Sequence, residues 1–283
     1  MKSAMPVPSL PPPLSQRARG TVRRCANFTL IDTHCHLDAF GDNQAEILRT
    51  ALDAGIGHLV IPSVERGNFA IVHKICEQHP NCHPAYGIHP MYTDNATPEE
   101  LAILRDYLQD HRPVAIGEIG LDFFIENHNV TKQEYFFVEQ LKLAREFDLP
   151  VLLHTRHATD TVLKHLRQIR VKGGIAHAFS GSRVQAEAFT KLGFKLGFGG
   201  AITYDRATRI RDLATTLPMT SIVLETDAPD IPPAFVTGGE PNKPEHLLRI
   251  AQTLAELRGI SMAEIAQTTT ENTLHALPDL IPL

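Results

Sequence analysis

The sequence predicts a single (β/α)8 barrel, and three observations carry that prediction. Short runs of consecutive apolar residues recur along the chain, the pattern of strands buried on both faces. Longer amphipathic stretches with helix caps separate them, as parallel crossovers require. The ends of the runs repeatedly carry His, Glu or Asp, and in such a barrel the C-terminal strand ends converge on one face.

Residues 28–31 lead to His34 and His36, 58–62 to Ser63, 83–88 to His89, and 114–116 to Glu118. Residues 151–153 lead to His154, 174–176 to His177, 195–199 to Thr203, and 222–224 to Glu225 and Asp227. Helices are predicted over 43–54, stopped by Gly55, over 68–78, and over 98–109 with Thr97 as N-cap and Pro98 at the first helical position. The longest, 131–147, opens on Thr131 with Glu134 three residues on, a capping-box spacing. Further helices are predicted over 157–169, 183–192, 206–216, 245–257 and 261–275, and Ser261 with Glu264 repeats the capping-box spacing. An open doubly wound sheet is the alternative, but no glycine-rich phosphate loop follows the first run.

Composition sets the outer limits. The chain has 283 residues, 43% hydrophobic and 21% charged, enough to bury one large core. A net charge of -5 and a pI near 6.3 argue against an electrostatic nucleic-acid scaffold. A phosphate substrate stays open, because a bound metal supplies positive charge locally. Cys25, Cys35, Cys76 and Cys82 form no CxxC pair, so a reduced, cytoplasmic compartment is the expectation. No apolar stretch approaches the ~18 residues of a membrane helix. Residues 1–26 form a Pro- and Arg-containing extension, expected to be disordered, before a barrel domain over 27–283. A mitochondrial-type presequence and an over-long start are the other readings of that extension.

The chemistry centres on Asp32-Thr33-His34-Cys35-His36. In a strand, residues two apart share a face, about 6–7 Å apart. The pattern therefore predicts that His34 and His36 point together and that Cys35 points away as a small buried apolar residue. His34 and His36 with Asp227 can chelate one divalent ion, His154 and His177 can hold a second, and Glu118 can bridge them. Mixed His and carboxylate ligation suits Zn, Mn, Ni or Mg. Two such ions activate water and clamp a phosphoryl oxygen. Asp227 can orient or deprotonate the water and pass the proton to the leaving group. Gly117, Gly120 and Gly181 would let backbone approach a ligand closely. His89 is expected to face the cavity, against a substrate phosphate or behind a ligand. Arg156 is expected to hold a phosphate or to pair with a loop carboxylate. Cys76, His79, Cys82 and His83 read as structural, and Phe123-Phe124 and Phe136-Phe137 as core or cavity wall.

At these residues the chain resembles the TatD family of metal-dependent hydrolases and deoxyribonucleases, a branch of the amidohydrolase superfamily. The stretches that carry the resemblance run in family order: Ile31-Asp32-Thr33-His34-Cys35-His36, Gly87-Ile88-His89-Pro90, Ala115-Ile116-Gly117-Glu118-Ile119-Gly120-Leu121-Asp122, Leu149-Pro150-Val151-Leu152-Leu153-His154, His177-Ala178-Phe179-Ser180-Gly181, Leu224-Glu225-Thr226-Asp227-Ala228-Pro229 and Pro241-Asn242-Lys243-Pro244. The resemblance implies a TIM barrel with a two-metal centre on His34, His36, Glu118, His154, His177 and Asp227. It also implies a nuclease acting on DNA ends. Asp230, where many members carry an aromatic residue, is similar to the YjjV-like branch, and His157-Ala158 stand in a loop that is often polar. A hydrolase of a small phosphoester, carboxylic ester or amide is the second reading, and a non-catalytic metal-binding barrel the third. No protein partner is inferred.

Overall fold

The computed structural model describes residues 29–126 and 129–280, so the expectations for residues 1–26 and for Cys25 lie outside the described residues. Eight parallel strands run in sequence order around the sheet. They are β1 (Leu30–Asp32), β2 (Ile56–Pro62), β3 (Cys82–Tyr86), β4 (Ala115–Asp122), β5 (Val151–Arg156), β6 (Gly174–Ala176), β7 (Phe194–Phe198) and β8 (Ile222–Leu224). The helices that return the chain are α1 (Gln44–Asp53), α2 (Phe69–Gln78), α3 (Pro98–His111), α4 (Val130–Glu146), α5 (Thr159–Gln168), α6 (Arg183–Lys191), α7 (Thr208–Thr216) and α8 (Leu247–Arg258), followed by α9 (Met262–Ala276). This is the predicted TIM barrel. Among the described residues no helix is long and apolar enough to cross a membrane.

The core lies in two layers. The larger one fills the space between strands and helices, with Phe69, Phe136, Phe137, Phe189 and Phe194 fully covered. The smaller one takes Ile31, Val60, Ala85, Ala115, Leu152, Ile175 and Val223, one from each of seven strands, and is closed below by Leu277 and Leu280 beyond α9. These seven side chains point into the barrel, so positions two further on face its upper mouth.

Several local expectations change. β4 runs on through Asp122 instead of ending at Ile116, and its register against β5 shifts between Ile116 and Ile119. That irregularity moves Glu118 and Asp122 to the inner side, where regular alternation from Ala115 would put Gly117. The glycines there serve strand packing, not a ligand: a Cβ on Gly120 would overlap the His154 carbonyl, and one on Gly117 would lie 2.6 Å from the Leu152 Cβ. At Gly181 it would meet the Phe179 ring at 2.8 Å. α4 starts from Asn129, whose Oδ1 accepts the Lys132 N–H at 3.0 Å, rather than from Thr131. At α9 the Ser261 Oγ accepts the Glu264 N–H at 3.2 Å. Thr97 occupies the N-cap of α3 without a side-chain capping bond.

Two buried glutamines of α4 act as backbone surrogates. Gln140 accepts the Ile88 N–H at 2.7 Å and donates to the Ile88 carbonyl at 3.0 Å. Gln133 does the same for Asp122, at 3.0 and 3.1 Å. β3 and β4 pair only through Ala85 and Tyr86, so beyond that point their parting edges need such partners.

The sheet closes between β8 and β1 through the segments that follow those strands. Thr33 donates its N–H and hydroxyl to the Leu224 carbonyl at 3.1 and 3.0 Å. The Asp227 N–H reaches the His34 carbonyl, and the His36 N–H the Ala228 carbonyl, both at 2.8 Å. Beneath them the fully buried Asp32 carboxylate accepts the Thr226 N–H at 2.9 Å, the Thr226 hydroxyl at 2.5 Å and the His34 N–H at 3.3 Å. Burial pushes its pKa up to about 7 despite those donors.

Thr226→Val keeps the shape but removes the hydroxyl donor to a buried carboxylate. An unpaired buried acceptor costs roughly 1–3 kcal/mol. Urea unfolding should show a loss of that order, with Thr226→Ser close to wild type. An unchanged midpoint in the valine variant would mean the seam does not depend on this bond.

Candidate metal centre

Each ligand-type side chain arrives by a traceable route. His154 and His177 stand two residues beyond Leu152 and Ile175, so strand alternation carries them from the barrel interior to its mouth. Glu225 follows Val223 in the same way, whereas Asp227 lies three residues past the end of β8. Asp227 has a left-handed backbone, φ 59°, a conformation that costs on the order of 1–3 kcal/mol outside glycine. It is held there by its N–H bond to His34 and by the Asp230 N–H, which it accepts at 2.7 Å. His34 and His36 lie beyond the end of β1 at Asp32, so alternation within a strand is not what aligns them. The pairing of Cys35 with Ala228 aligns them instead, and Cys35 is buried as expected.

Glu118 occupies the centre of the cluster and is 3% exposed. Its Oε2 lies 3.1 Å from the His34 Nε2 and 3.8 Å from the His36 Nε2. Its Oε1 lies 3.0 Å from the His154 Nδ1 and 3.5 Å from the His89 Nε2. The Asp227 Oδ1 lies 3.6 Å from the His36 Nε2 and 3.8 Å from the His34 Nε2, and its Oδ2 3.6 Å from the His177 Nε2. The His34 and His177 rings stack with centroids 3.7 Å apart.

Three groups bring their ligand atoms within 4.8 Å of one another: His34 with His36 and Asp227; His34 with Glu118 and His177; and His89 with Glu118 and His154. His34, His36 and Asp227 come together in the first group, and Glu118 stands in the other two; His89 accompanies His154, and His177 packs on His34. Sequence reading passed over two carboxylates. Asp122 holds the His154 Nε2 at 3.0 Å, and Glu225 sits 3.1 Å from the His177 Nδ1. Their spacing was the available signal, Glu118-x-x-x-Asp122 and Glu225-x-Asp227.

Burial alone would raise the Glu118 carboxyl, but the His34, His89 and His154 imidazoles hold it well below the usual carboxylate range. Asp227 is likewise lowered against burial, by His177, His34 and His36. Burial and the neighbouring His177 push His34 down, whereas Glu225 and Asp227 raise His177 against its burial. Among the described residues no Lys or Arg pairs with Glu118, Asp227 or Glu225. Clustered imidazoles repel one another when protonated, and buried carboxylates need a counter-charge. The donor set of nitrogen and oxygen at this spacing fits a divalent cation.

The cluster opens into a cavity of about 780 Å³. Phe179, Phe198, Ile210 and Ile231 give it an apolar wall, and Met91 and Tyr92 stand exposed at the mouth. Arg156, at the end of β5, lines the same cavity. Its guanidinium lies over the Phe124 ring at 3.7 Å and forms no ion pair within the described residues. Phe124 is therefore an exposed shelf under an arginine, not the core or wall residue the sequence suggested, while Phe136 and Phe137 are core. Far below, His58 and His83 share a 2.8 Å hydrogen bond, and Cys35, Cys76 and Cys82 are free. The reading of the Cys/His segment as structural agrees with that.

Fold and site together define a metal-dependent hydrolase acting on ester bonds. The family model described as TatD related DNase matches residues 31–278, and the chain belongs to that family. It is 43% identical over 252 residues to the uncharacterised metal-dependent hydrolase YjjV of Escherichia coli K12, covering 86% of this chain and 95% of that one. The crystal structure of the E. coli YjjV protein, a TatD homologue, superposes with a TM-score of 0.86 at 40% identity, covering 89% of this chain and 98% of that one. The 3'-5' ssDNA/RNA exonuclease TatD of Erwinia tasmaniensis is 32% identical over 240 residues, covering 82% and 93%.

Proposed function

We propose that the chain hydrolyses phosphodiester bonds at the ends of DNA strands, with two divalent ions held by His34, His36, Glu118, His154, His177 and Asp227. The observation that carries this reading is the placement of Glu118, whose two carboxylate oxygens face different imidazole pairs. Such a divided carboxylate would let Glu118 help hold an ion on either side. The relationship to a 3'-5' ssDNA/RNA exonuclease supports the substrate class.

When bound, divalent ions acidify water and offset charge on the phosphoryl oxygens. The protein's share is holding and moving protons. The Asp227 carboxylate is ionised at neutral pH, so it can accept the proton of the attacking water and return it to the leaving oxygen. Asp122 and Gln133 fix His154, and Gln140 fixes the strand end that bears His89. Arg156, stacked on Phe124 and without an ion pair among the described residues, can hold a non-bridging phosphate oxygen pair. The cavity is a mouth at one end of a barrel and the chain is acidic overall, which suits a strand end better than a long duplex track. The apolar wall of Phe179, Phe198, Ile210 and Ile231 favours a second reading, a small phosphoester, carboxylic ester or amide with an apolar group.

Asp227→Asn keeps the shape and an oxygen donor but not the base. Its kcat on single-stranded DNA should fall ~10²–10⁴-fold, while metal content, read by elemental analysis, falls less. Near-normal kcat at normal metal content would remove Asp227 from proton transfer. Arg156→Ala should raise KM for a phosphodiester by about tenfold, a factor worth ~1.4 kcal/mol, and leave KM for an uncharged aryl ester unchanged. Wild-type protein loaded with Zn, Mn or Mg yet inert on every phosphodiester, and active on an ester or amide, would favour the second reading.

A further inference from the structure

Glu225 is a carboxylate around which three separate segments are shaped, and the hydrolytic scheme above gives it no task. It follows β8 and is 1% exposed. Its Oε1 accepts the Ala178 N–H at 2.6 Å and lies 3.1 Å from the His177 Nδ1. The opposite nitrogen of that ring, Nε2, faces the Asp227 Oδ2 at 3.6 Å. Ala178 adopts a left-handed backbone, φ 44°, with its N–H turned to the carboxylate. Gly197 of β7 leaves the space Glu225 fills: a Cβ there would overlap the carboxylate. A Cβ on Gly199 would lie 2.9 Å from the Glu225 carbonyl oxygen. Among the described residues neither the Glu225 Oε2 nor the His177 Nδ1 has an aligned hydrogen-bond partner, so the 3.1 Å approach of the Nδ1 to Oε1 is a close contact that a small turn of the ring would align.

Burying an acid this deeply without a fixed cation is costly, so the arrangement calls for a compensating role. An imidazole has two chemically equivalent ways to face a cluster, and the partner on one nitrogen decides which lone pair the other presents. Here only one side of His177 meets a strong acceptor that is itself anchored to backbone. Glu225 acts on the neighbouring ring, not on a substrate: Glu225 and Arg156 both line the cavity, but Glu225 is covered and Arg156 is accessible.

We infer that Glu225 is a positioning residue, which accepts the His177 Nδ1–H and so fixes the ring with its Nε2 lone pair toward Asp227 and the metal donors. The inference rests on the reading that His177 holds an ion. Partners of this kind typically carry ~10–100-fold in metal affinity or activity.

Nitrogen-15 histidine spectra of the zinc-loaded wild-type protein test the orientation without any substitution. His177 should carry its proton on Nδ1 and be coordinated through Nε2. Coordination through Nδ1 would overturn the inference. Zinc affinity measured by chelator competition provides the second arm. Glu225→Gln, which keeps length and shape, should bind zinc ~10–100-fold more weakly. Gly197→Ala, which displaces the carboxylate from the other side, should weaken it in the same direction. For Glu225→Gln, kcat should fall with KM little changed. His177→Ala calibrates the result. If it binds zinc weakly and Glu225→Gln binds like wild type, positioning alone is wrong. If His177→Ala also binds zinc like wild type, the assignment of His177 to a metal fails, and the inference falls with it.

Discussion

Asp32 carries the joint between the first and last strands. A barrel must bring its two edge strands together, and here the strand ladder itself stops short. A buried carboxylate gathers three donors, two from Thr226 and one from the His34 backbone, and the flanking main chain completes the closure. His34, His36 and Asp227 all project from this joint. Their mutual distances are set by the same hydrogen bonds that close the sheet, so folding and site assembly are one event on that side of the mouth. The left-handed backbone at Asp227 is affordable only because both its N–H and its carbonyl are bonded there.

The centre of the cluster is organised by charge. Glu118, Asp227 and Glu225 are buried together, and among the described residues the basic side chains that pair with them are imidazoles. Imidazoles can neutralise carboxylates by protonation, but stacked rings such as His34 and His177 resist a second proton. The competing demands leave some groups raised and others lowered within a few ångströms of one another. Divalent cations would answer these demands together, because they match carboxylates and take the neutral form of an imidazole.

Much of this was legible in the residues themselves. Apolar runs leading to His154 and His177 sit on regular strands, and for those a period of two locates both the core residue and the ligand-type residue above it. The reading weakened wherever the backbone leaves that period. The apolar run before Glu118 stops at Ile116, whereas β4 continues to Asp122 through an irregularity that no alternation rule encodes. His34 and His36 were paired for the wrong reason, since they lie past their strand and are aligned by Ala228. His154 packs against His89, a neighbour that alternation does not reveal, because ring direction near a strand end depends on residues far away in sequence. Asp122 and Glu225 were quoted as parts of motifs without a task, since a carboxylate that steadies a histidine has the same spacing as one that binds a metal.

Gln133 and Gln140 give α4 a further constraint. They stand seven residues apart, two helical turns to within about 20°, on the stripe that also buries Phe136, Phe137 and Ala144. Each matches both backbone groups of a single strand residue, so the helix works as a ruler laid across the parting edges of β3 and β4. Inserting or deleting one residue between the two amides would swing one of them by about 100° and strand either Ile88 or Asp122. Outward positions of α4 are free of this constraint, but the length of its middle is not, although the helix contributes no atom to the cavity.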